Sequence, residues 1–145
     1  MQAKSMHLVR TQVIPAEKRL ALKASLSSAL ERRPEIVFAY VYGSFAEGRP
    51  FRDVDVGVCL ARVEEERFGA YAIDLGLELE GILGFPIDVR VLNTAPLSFL
   101  YNVFRGELLV SRDDDLRAEK VEDAVRHHLD TEPLVRRSLR ELAEG

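Results

Sequence analysis

Three aspartates and one Gly-Ser pair are the residues of this chain best suited to do chemistry together. Asp53 and Asp55 stand two apart in Arg52-Asp53-Val54-Asp55-Val56, so on a strand both carboxylates leave the same face. Asp88 lies in a second apolar run, Pro86-Ile87-Asp88-Val89. Like charges held that close repel, and each carboxyl would rise in pKa if buried alone. A divalent cation removes the conflict, and Mg²⁺ is the ion usually held by a few carboxylates plus substrate phosphates. Gly43-Ser44 closes the apolar run 36–42. A strand that stops there offers free backbone N–H groups and a hydroxyl, which suit a phosphate. A phosphate cradle beside an acidic metal site implies nucleotide chemistry.

Each feature also has an ordinary reading. Gly-Ser is often a turn with a serine cap, Asp-x-Asp is common on exposed strand edges, and a strand aspartate such as Asp88 is often satisfied by a neighbouring arginine. The combination favours the metal and nucleotide. Arg49 and Arg52 share the loop after Ser44 and are candidates to clamp phosphates bidentately, although two solvated arginines would look the same. Arg90 shares the face of Asp88 and is expected to pair with an acid there rather than to meet substrate. Glu47 reads as a loop-surface residue. His127 and His128 have no partner at metal-ligand spacing, and Tyr40, Tyr42, Tyr71 and Tyr101 read as packing residues. Consecutive acids such as Asp113-Asp114-Asp115 do not converge on one ion; a helix N-terminus that favours negative charge explains them, and Glu64-Glu65-Glu66 likewise.

The elements that must carry these groups follow from periodicity. Pro15 precedes a helix over 16–33 whose apolar positions are Leu22, Leu26, Ala29 and Leu30, and Pro34 ends it. Residues 36–42 read as a nearly fully buried strand, and 43–52 as a loop with a helical turn after Ser44. A second strand over 53–60 puts Val54, Val56, Val58 and Leu60 on one face and Asp53, Asp55, Gly57 and Cys59 on the other, with Gly57 leaving room beside the acids. A helix over 64–83 has Phe68, Ala72, Leu75, Leu79 and Ile82 as its core stripe, and Gly84 terminates it. A third strand spans 86–92, a short helix 96–104 and a short strand 107–111. A helix over 113–129, with Leu116, Val121, Ala124, Val125 and Leu129 inward, breaks near Thr131 and Pro133 and restarts with Leu134, Val135, Leu139 and Leu142.

That order predicts an α/β chain of the α+β type, a small mixed sheet flanked by helices. A length of 145 residues suits one domain over 1–145, with the C-terminal helices 113–145 part of it. The apolar and charged fractions are those of an ordinary globular protein. A net charge of −4 argues against a general nucleic-acid surface, so no direct sequence-specific nucleic-acid partner is expected. The single cysteine, Cys59, cannot form an internal disulfide and reads as a small buried hydrophobe in a reducing cytoplasm. Residues 1–10 lack a signal-peptide core, and no run approaches membrane-spanning length. The expected location is cytoplasmic.

The stretch Val41-Tyr42-Gly43-Ser44-Phe45-Ala46-Glu47-Gly48, the run from Arg52 to Val56 and the acidic strand Ile87-Asp88-Val89 together resemble the polymerase-beta-type nucleotidyltransferases. More narrowly, they are similar to the minimal nucleotidyltransferases (MNT) that pair with HEPN-domain toxins in prokaryotic toxin–antitoxin modules. The loop from Phe45 to Arg52 is shorter than that family's usual spacing. The resemblance implies the nucleotidyltransferase fold and an Mg²⁺-dependent enzyme that moves AMP from ATP to a hydroxyl. It implies that Asp53, Asp55 and Asp88 hold two Mg²⁺ ions, with Asp88 also placed to accept the hydroxyl proton, and that Gly43, Ser44, Arg49 and Arg52 hold the triphosphate. The acceptor it implies is a tyrosine of a partner HEPN ribonuclease, silenced by the modification, with 134–142 as a candidate docking helix. Two alternatives stand beside this: a non-catalytic antitoxin that masks the HEPN toxin stoichiometrically, and a stand-alone transferase acting on a small molecule.

Overall fold

The structure is a computed structural model and describes residues 11–144; the leader question raised by residues 1–10 lies outside the described residues. Pro15, extended at the N-cap, introduces helix α1 (Ala16–Glu31), and Leu26, Ala29 and Leu30 of its apolar stripe are buried. Strand β1 (Ile36–Tyr42) follows, buried along almost its whole length. A one-turn helix, α2 (Gly43–Ala46), sits where the loop with a helical turn was expected. Strand β2 (Val54–Leu60) comes next. The helix expected from Glu64 begins as a 3₁₀ turn at Glu65–Arg67 and becomes α-helical as α3 (Phe68–Leu83). Gly84, in the left-handed conformation, stops it. Strand β3 (Ile87–Val91), helix α4 (Leu97–Phe104), strand β4 (Glu107–Ser111) and helix α5 (Asp114–Glu144) complete the order.

The four strands form one mixed sheet in the order β3-β2-β1-β4. β1 runs antiparallel to both β2 and β4, and β2 runs parallel to β3. Alternation along the strands divides the interior in two. Val54, Val56, Val58 and Leu60 face one core with Leu26 and Leu30 of α1 and Leu75, Leu79 and Leu83 of α3. Phe38, Tyr40, Tyr42 and Cys59 face the other with Leu100 and Val103 of α4 and Ala124 of α5. The small mixed sheet flanked by helices is therefore as expected. Each fully buried leucine contributes about 1.5–3 kcal/mol relative to exposure.

Four local expectations are corrected. The stripe of α3 runs through Leu75, Leu79 and Leu83, with Gly76 against the backbone of Ile87, while Ile82 faces solvent; one-turn steps of four keep the buried positions aligned. Gly57 makes room not for the acids but for Leu92, whose Cδ2 would stand 2.9 Å from a Cβ there. Of the inward residues proposed for α5 only Ala124 is buried, and Val125 and Leu129 are exposed. The break near Thr131 and Pro133 does not occur: α5 runs on with Pro133 inside it. A proline removes one backbone donor from a helix. Here the flanking turns supply their own bonds, Thr131 Oγ1 donating to the His127 carbonyl at 2.9 Å and Arg136 pairing with Glu132 at 2.7 Å.

Candidate active site

The site is assembled where β1 ends, β2 begins and β3 runs alongside. Gly43 follows Tyr42 with φ +80°, a backbone conformation that favours glycine. It is required for a second reason: a Cβ at Gly43 would lie 2.5 Å from Asp55 Oδ2. Only a hydrogen fits between the turn and the carboxylate. The chain then folds back on itself, with the Glu47 and Arg49 amides donating to the Gly43 and Ser44 carbonyls at 3.1 and 3.0 Å. Phe51 is buried against Phe45 and Phe85, and its backbone exchanges two hydrogen bonds with Gln12. These apolar and backbone anchors fix the short loop that delivers Asp53 to the head of β2.

A cleft of about 340 Å³ opens there, lined by Thr11, Ser44, Pro50, Phe51, Arg52, Asp53 and Asp55. Ser44, Arg52, Asp53 and Asp55 thus come together as expected. Arg49 does not line this cleft; it is exposed and paired with Glu47 at 2.7 Å, which also places Glu47 at the loop surface. Asp88 does not line this cleft either; it stands beside it on the next strand. The parallel register sets it directly beside Asp55, while Tyr42 is Asp55's antiparallel partner on the other side.

Asp55 is the electrostatic centre of the group. Burial, then the charges of Asp53 and Asp88, push its carboxyl from the usual range to about 7. A protonated Asp55 hydrogen-bonds to Asp53, and Arg90 is the cation that opposes the shift. Tyr42 is buried edge-on to Phe99, and burial together with the Asp55 charge raises its hydroxyl pKa well above the usual value. Arg90 pairs with Asp88, Nε to Oδ2 at 3.5 Å, and its guanidinium sits 5.7 Å from the Phe99 ring centre. The expectation that Arg90 meets an acid is met.

Among the described residues no three His, Cys, Asp or Glu side chains are gathered closely enough to hold a metal ion between them. The donor set nonetheless fits a hard divalent cation: carboxylate oxygens only, mutually repelling, beside a turn with no Cβ. The contributions that sequence reasoning missed are Thr11 in the cleft wall and Phe99 under Arg90. Thr11 reaches the site from ahead of α1 and Phe99 from the helix that follows β3, and nothing in their local spacing marks them.

The polymerase beta nucleotidyltransferase family model matches residues 24–115, a span that holds Gly43, Ser44, Asp53, Asp55 and Asp88. The chain belongs to the polymerase beta nucleotidyltransferase family. As a nucleotidyltransferase-family chain it also shares its fold with solved structures. One is a tri-AMPylated Shewanella oneidensis HEPN toxin in complex with MNT antitoxin: 17% identity, 83% of this chain and 98% of that chain covered, TM-score 0.59. Another is a toxin–antitoxin with AMP-PNP, at 19% identity, 81% and 98% coverage and TM-score 0.60. A third is the toxin–antitoxin MntA-HepT, at 18% identity, 83% and 98% coverage and TM-score 0.59. These likenesses show the nucleotidyltransferase fold. No curated protein sequence matches the chain. No helix among the described residues is long and apolar enough to cross a membrane.

Proposed function

We propose that this nucleotidyltransferase moves AMP from ATP to a hydroxyl of a partner HEPN toxin, most simply a tyrosine, and so neutralises it as an antitoxin. The observation that carries the reading is the position of Asp55, flanked by Asp53 and Asp88 and touching the glycine turn at Gly43. The relatives in fold support the partner and the co-substrate, since one complex contains a tri-AMPylated HEPN toxin and another AMP-PNP. In this reading the whole chain, α5 included, acts as one minimal cytoplasmic domain.

The reading gives each residue a role that its placement supports. Gly43 lets the backbone approach the triphosphate, and Ser44 and Arg52 in the cleft wall donate to its oxygens. Arg49 reaches them only after leaving Glu47. Asp53 and Asp55 are the residues that would hold Mg²⁺, with Asp88 completing the set. Bound Mg²⁺ would supply positive charge where the pyrophosphate leaves and acidify the attacking hydroxyl. Asp88, half exposed, would take that hydroxyl's proton.

A stoichiometric masking role is the second reading. It is favoured by the exposed apolar residues Leu134, Val135, Leu139 and Leu142 on α5, which leave the candidate docking stretch free to meet another chain. Intact-mass spectrometry of the HEPN partner after incubation with ATP and Mg²⁺ separates the two. An AMP-sized increase that disappears with Asp53→Asn/Asp55→Asn supports transfer. An unmodified partner, inhibited equally by both proteins, overturns it in favour of masking.

A further inference from the structure

We propose that Arg19, on the opening turn of α1, is a further nucleotide-binding residue whose guanidinium takes the two phosphates that leave as pyrophosphate. This rests on the reading of the Ser44 cleft as the nucleotide site. Gly48 follows the one-turn helix α2 with φ +77°, and Arg19 fills its vacant side. A Cβ there would stand 3.2, 3.3 and 3.5 Å from Arg19 Nη2, Cζ and Nη1. Near-equal distances to three atoms of one planar group mean that the guanidinium lies flat against the glycine. Among the described residues no carboxylate pairs with it, although Arg19 is partly buried.

Nothing in α1 asks for a cation at this place. A helix N-terminus favours acids, and α1 has one at Glu17. A guanidinium carries five N–H donors in a planar fork. With its face resting on Gly48, its edge is left for oxygen acceptors, and a triphosphate brings them. The reacting α-phosphate belongs at Asp53 and Asp55, so the other two phosphates extend along the cleft wall that Ser44, Pro50 and Thr11 help to form. Gly48 is two residues from Pro50 and one helical turn, about 6 Å, from Ser44. Within the loop Arg49 is paired with Glu47 at 2.7 Å, and among the described residues Arg52 is the one cation lining the cleft. A departing pyrophosphate carries more charge than one arginine offsets. Arg19 adds a second, fixed on a helix before the charge develops.

The test is calorimetry of unreactive ligands on the purified full chain with Mg²⁺: α,β-methylene ATP, inorganic pyrophosphate and AMP. Arg19→Met keeps the apolar stem and removes the charge. It should weaken the ATP analogue and pyrophosphate by roughly 10- to 100-fold and AMP by less than about twofold. Arg19→Lys keeps a charge without the flat fork and should recover part of the loss. A side chain that only braced the loop would weaken AMP as much as the ATP analogue, and that outcome overturns the proposal. If Arg52→Met weakens the ATP analogue while Arg19→Met binds it as tightly as wild type, the role of Arg19 falls and the nucleotide site stands. If wild type binds neither the ATP analogue nor pyrophosphate, the nucleotide reading falls and takes this inference with it.

Discussion

Asp55 and Asp88 are register partners on the parallel strands β2 and β3, so their carboxylates leave the same face of the sheet side by side. Neighbouring strands are spaced about 4.8 Å apart, which leaves the two charges no distance over which water could screen them well. The fold tolerates this arrangement by raising the Asp55 pKa to about 7, so that the carboxyl carries its proton at mildly acidic pH, and by pairing Asp88 with Arg90.

Stability of the metal-free protein should therefore fall as pH rises. Asp55 has a folded-state pKa of about 7 against the 3.8 of a free aspartate. The folded state thus holds a proton that the unfolded state has released, and stability declines from about pH 4 to about pH 7 and then levels. Asp55→Asn removes the cost. Its melting midpoint should exceed wild type by roughly 3 °C at pH 8 and by much less at pH 4.5. Equal shifts at both pH values would rule out the electrostatic origin.

Gly43→Ala should damage both fold and site. Its φ is positive, and its new Cβ would press on Asp55 Oδ2. A loss of about 1–3 kcal/mol in urea unfolding is expected, with nucleotide binding lost more completely than stability. A variant that binds an ATP analogue normally would mean that the close approach at Gly43 does not serve the phosphates.

Asp88→Asn tests cation holding and proton transfer together, and saturating nucleotide tells them apart. An amide keeps the size of the side chain but cannot take a proton. With Mg²⁺ present the affinity for an ATP analogue should fall, because one metal-holding carboxylate is lost, and single-turnover AMP transfer at saturating nucleotide should still slow by about 10²–10⁴-fold. A loss confined to nucleotide affinity would assign Asp88 to binding alone.

The two faces of helical leucine can be compared directly. Leu79 is fully buried in α3 and Leu139 on α5 is 61% exposed. Leu79→Ala should cost about 2–5 kcal/mol, whereas Leu139→Glu should stay within about 0.5 kcal/mol. Chemical denaturation of the isolated chain measures both. If Leu139→Glu instead abolishes capture of the HEPN partner, the exposed stripe is its docking surface.

Much of the scaffold was legible from local pattern. The unbroken apolar run 36–42, the alternation in 53–60 and the breakers Pro34 and Gly84 each act over a few residues, so strands and boundaries could be read directly. Gly43, Ser44, Asp53 and Asp55 were legible for the same reason, being close in sequence and distinctive in type. What escaped was whatever depends on long-range packing. Gly57 carries no mark that its vacant side belongs to Leu92, and Ile82 and Leu83 are equally apolar until the helix is set on its sheet. Arg49 and Arg52 look alike in the loop, and only the fold turns one to the cleft and the other to Glu47. Pro133 misled because a breaker signal ignores the bonds that flanking side chains restore.

Helix α5 spans 31 residues yet has a single buried one, Ala124. At 1.5 Å per residue it is roughly 46 Å long, well beyond the roughly 30 Å breadth of a small domain. Its first half is tied to α4 through Ala124 and the stacking of His128 on Tyr101; beyond that it is held mainly by its own ladder and by pairs such as Arg136–Glu132. The molecule therefore has two grades of cooperativity. Amides beyond about residue 130 should exchange with solvent through local fraying at little free-energy cost, while those of β1 and β2 wait for global opening. A partner that grips the distal half would convert this loosely coupled arm into part of the cooperative unit, and protection of those amides would report the docking itself.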